Sequence, residues 1–496
     1  MKTIILKKNY LKLAAFSIVF VFTFILRAHN YQLTPGALHL DEMLYAWSGI
    51  YLIETGVPVS WSTLDYPKRA EVYKGRISYK GGSPETSVTL FRPWLDEPPL
   101  FSLIVGYFAH INHVPRTDFI PSSYIRIPSI FFATVVSILI FFIAKMVSNF
   151  WTGLLAMIIY GTVPIMVISS RVALPENLIA LIFVIIAYLL LKFYQSPSFI
   201  DILFIPFLIG IAGLSKPTGF LLLFLPIYII FKKLIETGKI KTAFKYSLYL
   251  ITLTLPFAGL FILYGLHFDA EIFWRITSIQ SFRPIGLKSL GWFFISPSYG
   301  TSILTDCWYI FCLLSAFYFL FSPKEGLKKM ISLFFIYWVG VVMLTGGEGD
   351  LLAWYRFPTF PFLAILGAWG LQVLIKKADL FTTFVATGLL LGGRSLLVNA
   401  FRPNLTPIEV RLTMIFFLLP SIINSIFEKN WLYKLNKAIV ILIICVGIYL
   451  NVVYVYNQFE LSCESISCPI VPSTSISTLH LPFIWKFIIL GPPKYQ

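Results

Sequence analysis

The chain has 496 residues, of which 57% are hydrophobic and 12% are charged, against roughly 25% charged residues in an ordinary soluble domain. This composition excludes a water-soluble globule, because too few polar side chains remain to cover a fold of this size. The net charge is +16, but no basic run accompanies a soluble recognition fold, so we expect contacts with membrane lipid and no nucleic-acid partner. The sequence therefore indicates a polytopic membrane protein.

Lysines precede the first apolar run, and no small-x-small cleavage site follows it, so we expect a retained first helix rather than a signal peptide. A membrane span needs about 20 apolar residues, or fewer where flanking side chains snorkel. We therefore predict an all-α bundle of about 13 transmembrane helices, with amphipathic interfacial helices in the first outer loop. The predicted spans are 13–26, 124–145, 151–169, 177–195, 201–215, 217–231, 246–266, 301–321, 329–345, 357–375, 380–393, 412–427 and 438–456.

The charged residues predict on which side of the membrane each loop between these spans lies. The N-terminal segment and alternate loops contain 19 of the 26 lysines, which predicts that they are cytoplasmic, and the same topology puts all 13 arginines outside. Bidentate recognition of phosphate or carboxylate favours arginine over lysine, although anchoring of helix ends explains any single arginine as well. We expect a protein of the plasma membrane with its N-terminus inside and its active site outside.

The first outer loop, residues 27–97, contains eight of the 23 acidic residues. Asp41 and Glu42 open a segment of amphipathic helix in which Asp41 is placed to act as the N-terminal cap, with Tyr45 one turn further along the same face. A carboxylate at the membrane surface in front of a helix is suited to act as a general base, and a plain capping pair is the alternative.

A second acidic pair, Asp96 and Glu97, precedes an apolar helix predicted over 98–112. That helix is too short to cross a bilayer comfortably, so we expect it to lie along the interface, with the acids near water or a partner. Residues 66–87 between the two pairs contain many Gly, Pro, Ser and Lys, which is typical of an exposed insertion.

Isolated charged residues stand at the predicted outer ends of later helices. Together they predict one outward-facing cavity with a ring of positive charge, suited to a lipid-linked phosphate. These residues are Arg126, Arg171, Glu176, Lys216, Arg275, Arg283 and Arg356.

The succession of these motifs resembles the GT-C membrane glycosyltransferases, and most nearly the protein O-mannosyltransferases and the aminoarabinose transferases of lipid A. The resemblance covers roughly residues 35–360 and rests on the order of the motifs rather than on any one of them. The motifs are the Asp-Glu pair at 41–42, Pro-Pro-Leu at 98–100, Arg126, Arg-x-Ala-x-x-Glu at 171–176 and Gly-Leu-Ser-Lys-Pro-Thr-Gly at 213–219.

The resemblance implies a polyprenyl-phosphate-linked sugar as donor and direct displacement at its anomeric carbon with inversion. It implies that Asp41 is the general base beside Glu42 and that Glu176 is the acid of the second outer loop. The implied phosphate-binding residues are Arg126, Lys216 and one of Arg275 or Arg283, with Tyr355 and Arg356 as an aromatic and basic patch near the donor. Neither the sugar nor the acceptor is implied.

One position departs from the family pattern. Glu97 stands where the aminoarabinose transferases have Lys and the mannosyltransferases have His, so Arg92 is the candidate to replace that phosphate contact. No cofactor is expected, although Glu42, Asp96 and Glu97 leave a divalent metal open.

Two other functional classes stay open. A transporter or flippase of a lipid-linked or anionic substrate would place charges in mid-membrane on paired broken helices, whereas the charges here lie at helix ends. The other class is an inactive homologue or assembly subunit. The lack of a Trp-Trp-Asp-Tyr-Gly-like segment disfavours an oligosaccharyltransferase.

We predict one transmembrane module over 1–456 and an outer tail over 457–496, in which Cys463 and Cys468 form either a disulfide or two free thiols.

Overall fold

The computed structural model describes residues 2–457 except 33, 36–39, 77–86, 119, 286–306, 323–325, 348–352 and 393–405. The described chain is a helical bundle with one small sheet. Its helices are α1 Lys2–Ala28, α2 Leu40–Thr55, α3 Pro99–His110, α4 Ser122–Ile125, α5 Ile127–Val147, α6 Phe150–Thr162, α7 Pro164–Ser169, α8 Pro175–Gln195, α9 Ile205–Ser215, α10 Phe224–Glu236, α11 Ile240–Phe268, α12 Ala270–Ser281, α13 Cys307–Phe321, α14 Gly326–Thr345, α15 Phe360–Lys377, α16 Leu380–Ala386, α17 Pro407–Phe427 and α18 Asn430–Asn457. The predicted tail beyond 457, with Cys463 and Cys468, lies outside the described residues.

Eight helical stretches of the described chain are long and apolar enough to cross a membrane. The predicted all-α polytopic class is therefore confirmed, but the count of about 13 spans is not, because the other five predicted spans coincide with shorter apolar helices. The eight stretches are Tyr10–Ala28, Ser122–Val147, Pro175–Gln195, Pro217–Glu236, Ile240–Phe268, Gly326–Thr345, Trp354–Lys377 and Asn430–Tyr456.

The spans differ in how far the protein itself covers them. In the span that contains α15, 78% of the 18-residue apolar stretch is buried inside the protein, so this helix forms the centre of the bundle. In α11 only 17% of the corresponding stretch is buried. Large side chains of α11 such as Phe244, Leu248 and Leu263 are more than half exposed. Such a continuous apolar surface is stable against hydrocarbon and not against water, which agrees with a membrane-spanning position.

The first loop contains a small antiparallel sheet that the sequence analysis did not predict. Its strands are β1 Ser60–Trp61, β2 Glu71–Arg76 and β3 Ser87–Phe91, in the spatial order β1-β3-β2. The strands are short, and Gly, Pro and Lys between them resemble an exposed loop, so period-2 alternation was too brief to detect. The sheet stands between the two acidic pairs along the chain.

Two glycines allow α2 and α3 to touch backbone to backbone. A Cβ atom on Gly49 would overlap the carbonyl of Ser102, and one on Gly106 would overlap the backbone of Gly49. The helix predicted over 98–112 is present as the 12-residue α3, and it packs closely on α2, which contains Asp41, while its position along the membrane interface stays a prediction.

We expect Gly49→Ala to destabilise the protein by about 1–3 kcal/mol, because backbone atoms of α3 must shift to admit the methyl group. Thermal unfolding of the detergent-solubilised protein, followed by tryptophan fluorescence, measures the change. The control is Gly259→Ala on α11, where a Cβ atom would meet nothing within 4 Å. Equal unfolding midpoints for the two variants would contradict the close packing.

Candidate active site

Glu42 and Arg126 form a bidentate ion pair in the protein interior, with side chains 2% and 0% exposed. Arg126 Nε donates to Glu42 Oε1 at 2.8 Å, and Nη2 donates to Oε2 at 2.7 Å. The backbone N–H of Ala173 also donates to Glu42, and Arg126 Nη1 donates to the carbonyls of Tyr31 and Pro35. This arrangement joins the α1–α2 connection, the start of α5 and the segment before α8. In the structure the partners of Arg126 are therefore a carboxylate and two carbonyls, its predicted phosphate contact stays a prediction, and Glu42 faces the interior.

Arg171, predicted to line the substrate pocket, instead binds the C-terminal end of α1. Its guanidinium donates to the carbonyls of Leu26, Arg27 and Thr34 at 2.9–3.2 Å. The last carbonyls of a helix have no partner within the helix, so a buried arginine is a suitable donor for them. Arg27 binds in the opposite direction, to the carbonyl of Tyr160 and the hydroxyl of Ser170. Both arginines are fully buried.

Three further predicted phosphate ligands are not among the residues that line the cavity described below. Arg356 is buried with its guanidinium over the ring of Tyr309. Arg275 is exposed and binds the carboxylate and backbone oxygen of Asp65, and Arg92 is exposed. Of the predicted ring of cations, only Lys216 and Arg283 line this cavity in the described chain. Most of the other guanidinium groups of the predicted ring bind protein partners, and their phosphate-binding role stays a prediction.

A cavity of about 510 Å³ lies where the start of α2, the first-loop sheet, the residue pair before α3 and the segment after α9 meet. The end of α12 and the 3-10 helix Ala353–Thr359 complete its wall. The lining residues are Asp41, Leu44, Tyr45, Trp61, Ser62, Thr63, Leu64, Trp94, Asp96, Glu97, Lys216, Pro217, Thr218, Gln280, Arg283, Thr345, Trp354 and Tyr355.

Asp41 lines the cavity from the first turn of α2. The helix begins at Leu40, so Asp41 lies inside the first turn and not at the predicted capping position. Burial raises the pKa of Asp41 to about 6, with Lys216 opposing the rise and Glu176 adding to it. A carboxylate with such a pKa is ionised at neutral pH and still basic enough to take a proton, which suits general base catalysis.

Lys216 follows the end of α9, where Pro217 prevents the helix from continuing. Its ammonium lies 2.6 Å from Glu176 Oε1 and over the ring of Tyr355, 4.5 Å from the ring centre. Glu176 stands in the first turn of α8, is 1% exposed and does not line the cavity. Glu176 therefore binds Lys216 from the side away from the cavity, while Lys216 itself lines the cavity.

Asp96 and Glu97 line the same cavity in different states of hydrogen bonding. Asp96 accepts hydrogen bonds from Ser62 and Tyr66 at 2.6 and 2.7 Å. Glu97 Oε2 is buried and has no hydrogen-bond partner. Burial raises the pKa of Asp96 to about 6 and that of Glu97 to about 7. The cavity thus contains two carboxyl groups from this pair that take up protons just below or at neutral pH.

The metal site left open at Glu42, Asp96 and Glu97 does not fit these contacts. Glu42 is engaged by Arg126, and Asp96 by two hydroxyl groups. Within the described ranges, no three His, Cys, Asp or Glu side chains converge as a metal-binding group.

Several lining residues were missed by the sequence analysis. Trp61 and Ser62 belong to the unpredicted sheet region, Gln280 ends α12, and Trp354 precedes α15. Gln280 donates to the backbone carbonyl of Asp96 at 2.8 Å and so ties α12 to the acidic pair. No regular spacing in the sequence connects these positions. Of the residues next to them, only Tyr355, beside Trp354, was predicted to belong to the site.

We expect Arg126→Lys to destabilise the protein strongly, because a lysine cannot make both hydrogen bonds to Glu42 and leaves buried acceptors unpaired; a broken buried pair costs about 3–5 kcal/mol. The matched control is Arg69→Lys, since Arg69 pairs with Glu271 on the exposed surface. Thermal unfolding of both variants measures the difference, and comparable stability would contradict the structural role of the pair.

Comparisons with known proteins agree with this architecture. Residues 96–260 match the family described as dolichyl-phosphate-mannose-protein mannosyltransferase. The fold is similar to that of ArnT from Cupriavidus metallidurans bound to undecaprenyl phosphate, at 12% identity and a TM-score of 0.51 over 90% of this chain and 77% of that one. It is also similar to the arabinosyltransferase EmbB from Mycobacterium smegmatis, at 12% identity and a TM-score of 0.53 over 90% of this chain.

This chain covers only 41% of the EmbB chain. No curated protein matches the sequence. The predicted resemblance is confirmed: the chain is a polytopic membrane protein with the GT-C glycosyltransferase fold, and its residues 96–260 match the mannosyltransferase family.

Proposed function

We propose that the chain is an inverting glycosyltransferase that moves a sugar from a polyprenyl-phosphate donor to an acceptor at the outer face of the plasma membrane. The observation that carries the proposal is that Asp41 and Lys216 line one cavity of about 510 Å³. The undecaprenyl phosphate bound to ArnT and the dolichyl-phosphate donor in the name of the matched family support a lipid-phosphate donor.

The proposed reaction is a single displacement. Asp41 takes the proton from an acceptor hydroxyl or amine, whose heteroatom attacks the anomeric carbon of the sugar. The bond from that carbon to the phosphate oxygen breaks on the opposite side, so the configuration inverts and the polyprenyl phosphate leaves with both bonding electrons. The reaction is balanced without a cofactor.

Lys216 and Arg283 stabilise the negative charge that develops on the departing phosphate. An ammonium group has three N–H donors, and Glu176 accepts one of those of Lys216. The ion pair with Glu176 therefore orients Lys216 without using all of its donors. Tyr355, under the ammonium, fixes its position from another side.

Aromatic side chains in the wall support a sugar as the transferred group. Trp61, Trp94 and Trp354 line the cavity together with the carboxyl groups, so apolar surface and hydrogen-bonding groups face the same space. Sites for small ligands usually combine an aromatic wall with a few placed polar groups. The outer-face location rests on the lysine-rich loops, which the positive-inside rule puts in the cytoplasm.

We expect Asp41→Asn to lower the transfer rate by roughly 100-fold to 10,000-fold, the usual contribution of a general base. Transfer of radiolabelled sugar from a panel of polyprenyl-phosphate sugars into membrane extract measures it. The control is Asp65→Asn, since Asp65 lies in the same loop, is 77% exposed and does not line the cavity. Full transfer by a folded Asp41→Asn protein would exclude Asp41 as the base.

The transfer rate is also expected to depend on pH. Because burial raises the pKa of Asp41 to about 6, the base is protonated and inactive below that pH. The rate at substrate concentrations well below KM, which reports the pKa of the free protein, should therefore rise through about pH 6 and level off above it, about tenfold per pH unit on the acidic side. A pH profile of single-turnover transfer tests this, and a profile flat from pH 5 to 8 would contradict the assignment.

A further inference from the structure

Glu97 has a buried carboxyl oxygen, Oε2, that accepts no hydrogen bond, although the residue lines the cavity. Burying such an acceptor without a donor has a free-energy cost of about 1–3 kcal/mol or more. The neighbouring Asp96 differs, since Ser62 and Tyr66 both donate to it. A ligand in the cavity is therefore the natural source of the donor that Glu97 lacks.

The charges around the cavity favour a cationic donor. Three lining residues are acidic, namely Asp41, Asp96 and Glu97, while Lys216 and Arg283 are basic. Lys216 is already paired with the buried Glu176 at 2.6 Å. Under the proposed function a donor phosphate adds further negative charge, so an ammonium group on a substrate balances the site. Charge-assisted hydrogen bonds are also roughly twice as strong as neutral ones.

We propose that Glu97 binds a primary ammonium group of the substrate and thereby selects amino-bearing sugars or acceptors over neutral ones. Glu97 acts here as a specificity-determining residue, separate from the base Asp41 and from the cation Lys216. The inference rests on the proposed function for the identity of the cavity as the reaction site. Either the transferred sugar or the acceptor can supply the ammonium group that Glu97 binds.

The surrounding groups hold Glu97 in place for this role. It directly precedes the two prolines that begin α3, so its backbone is anchored at the start of a rigid helix. Gln280 fixes the carbonyl of the preceding Asp96, and Tyr45 packs edge-on against Trp94 in the same wall. The carboxyl group is thus presented to the cavity by packed elements rather than by a free loop.

The test measures binding to the purified full-length chain in lipid nanodiscs at pH 7, by tryptophan fluorescence, since Trp61, Trp94 and Trp354 line the cavity. One arm compares undecaprenyl-phosphate glucosamine with undecaprenyl-phosphate glucose. The other arm compares methyl glucosaminide with methyl glucoside and with the N-acetylated methyl glucosaminide, whose nitrogen has no charge. We expect at least about tenfold tighter binding of the amino compound in one arm, as for a hydrogen bond to a charged group.

Glu97→Gln keeps the size of the side chain and removes its charge, so it should abolish the preference. Glu236→Gln, on the exposed end of α10, removes a charge elsewhere and should keep it. Preference in the first arm alone places the ammonium on the transferred sugar, and preference in the second alone places it on the acceptor. Either result supports the proposal.

Equal binding of amino and neutral compounds in both arms would overturn the proposal, as would a preference that persists in Glu97→Gln. If Glu97→Gln does not fold, Glu97→Met replaces it, since it also removes the charge at similar length, and a preference for the amino compound that persists in Glu97→Met would overturn the proposal. Failure of the proposed function has another signature: the wild-type protein transfers sugar from no lipid-phosphate donor, while its preference among the methyl glycosides is unaffected.

Discussion

The buried ion pair of Glu42 and Arg126 organises the parts of the chain that build the cavity. Taking both charges out of water is costly, and the cost is offset only when their hydrogen bonds are satisfied. Here Ala173 and the carbonyls of Tyr31 and Pro35 complete the bonding of the pair. Three separate segments are thereby held at one point. Neighbouring residues of a helix point about 100° apart, so fixing Glu42 toward the interior leaves Asp41 free to face the cavity.

The predicted topology puts all arginines outside and most lysines inside, and the buried arginines give this asymmetry a second physical explanation besides phosphate binding. A guanidinium fork matches a phosphate, and it matches a carboxylate or a pair of backbone carbonyls equally well. Arg171 binds carbonyls at the end of α1, and Arg27 binds the carbonyl of Tyr160 near the end of α6, so both guanidinium groups satisfy buried backbone acceptors. The arginines at these helix ends thus bind protein groups, and under the proposed function phosphate binding falls to the fewer cations that line the cavity.

The acidic residues also divide into those that pair with buried cations of the protein and those that face the cavity. Glu42 and Glu176 each neutralise one buried cation, whereas Asp41, Asp96 and Glu97 face the cavity. Burial raises the pKa of each of these three into the range of about 6–7, so the charge of these lining groups changes close to neutral pH. A site of this kind responds electrostatically to what binds in it. The Glu97 departure from the family pattern therefore changes the charge that the cavity offers to a substrate.

Hydropathy alone predicted an all-α membrane protein, because each span carries its own signal in about 20 consecutive residues. The order of short polar motifs along one side of the predicted topology was enough for the family resemblance and for singling out Asp41, Asp96, Glu97 and Lys216. The tertiary structure alone decided that Arg126 and Arg171 bind protein groups, that a small sheet supplies Trp61, and that α2 and α3 meet at Gly49. Membrane insertion is a local property of a segment, whereas the direction of one side chain depends on partners more than 80 residues away in the chain, as for Glu42 and Arg126.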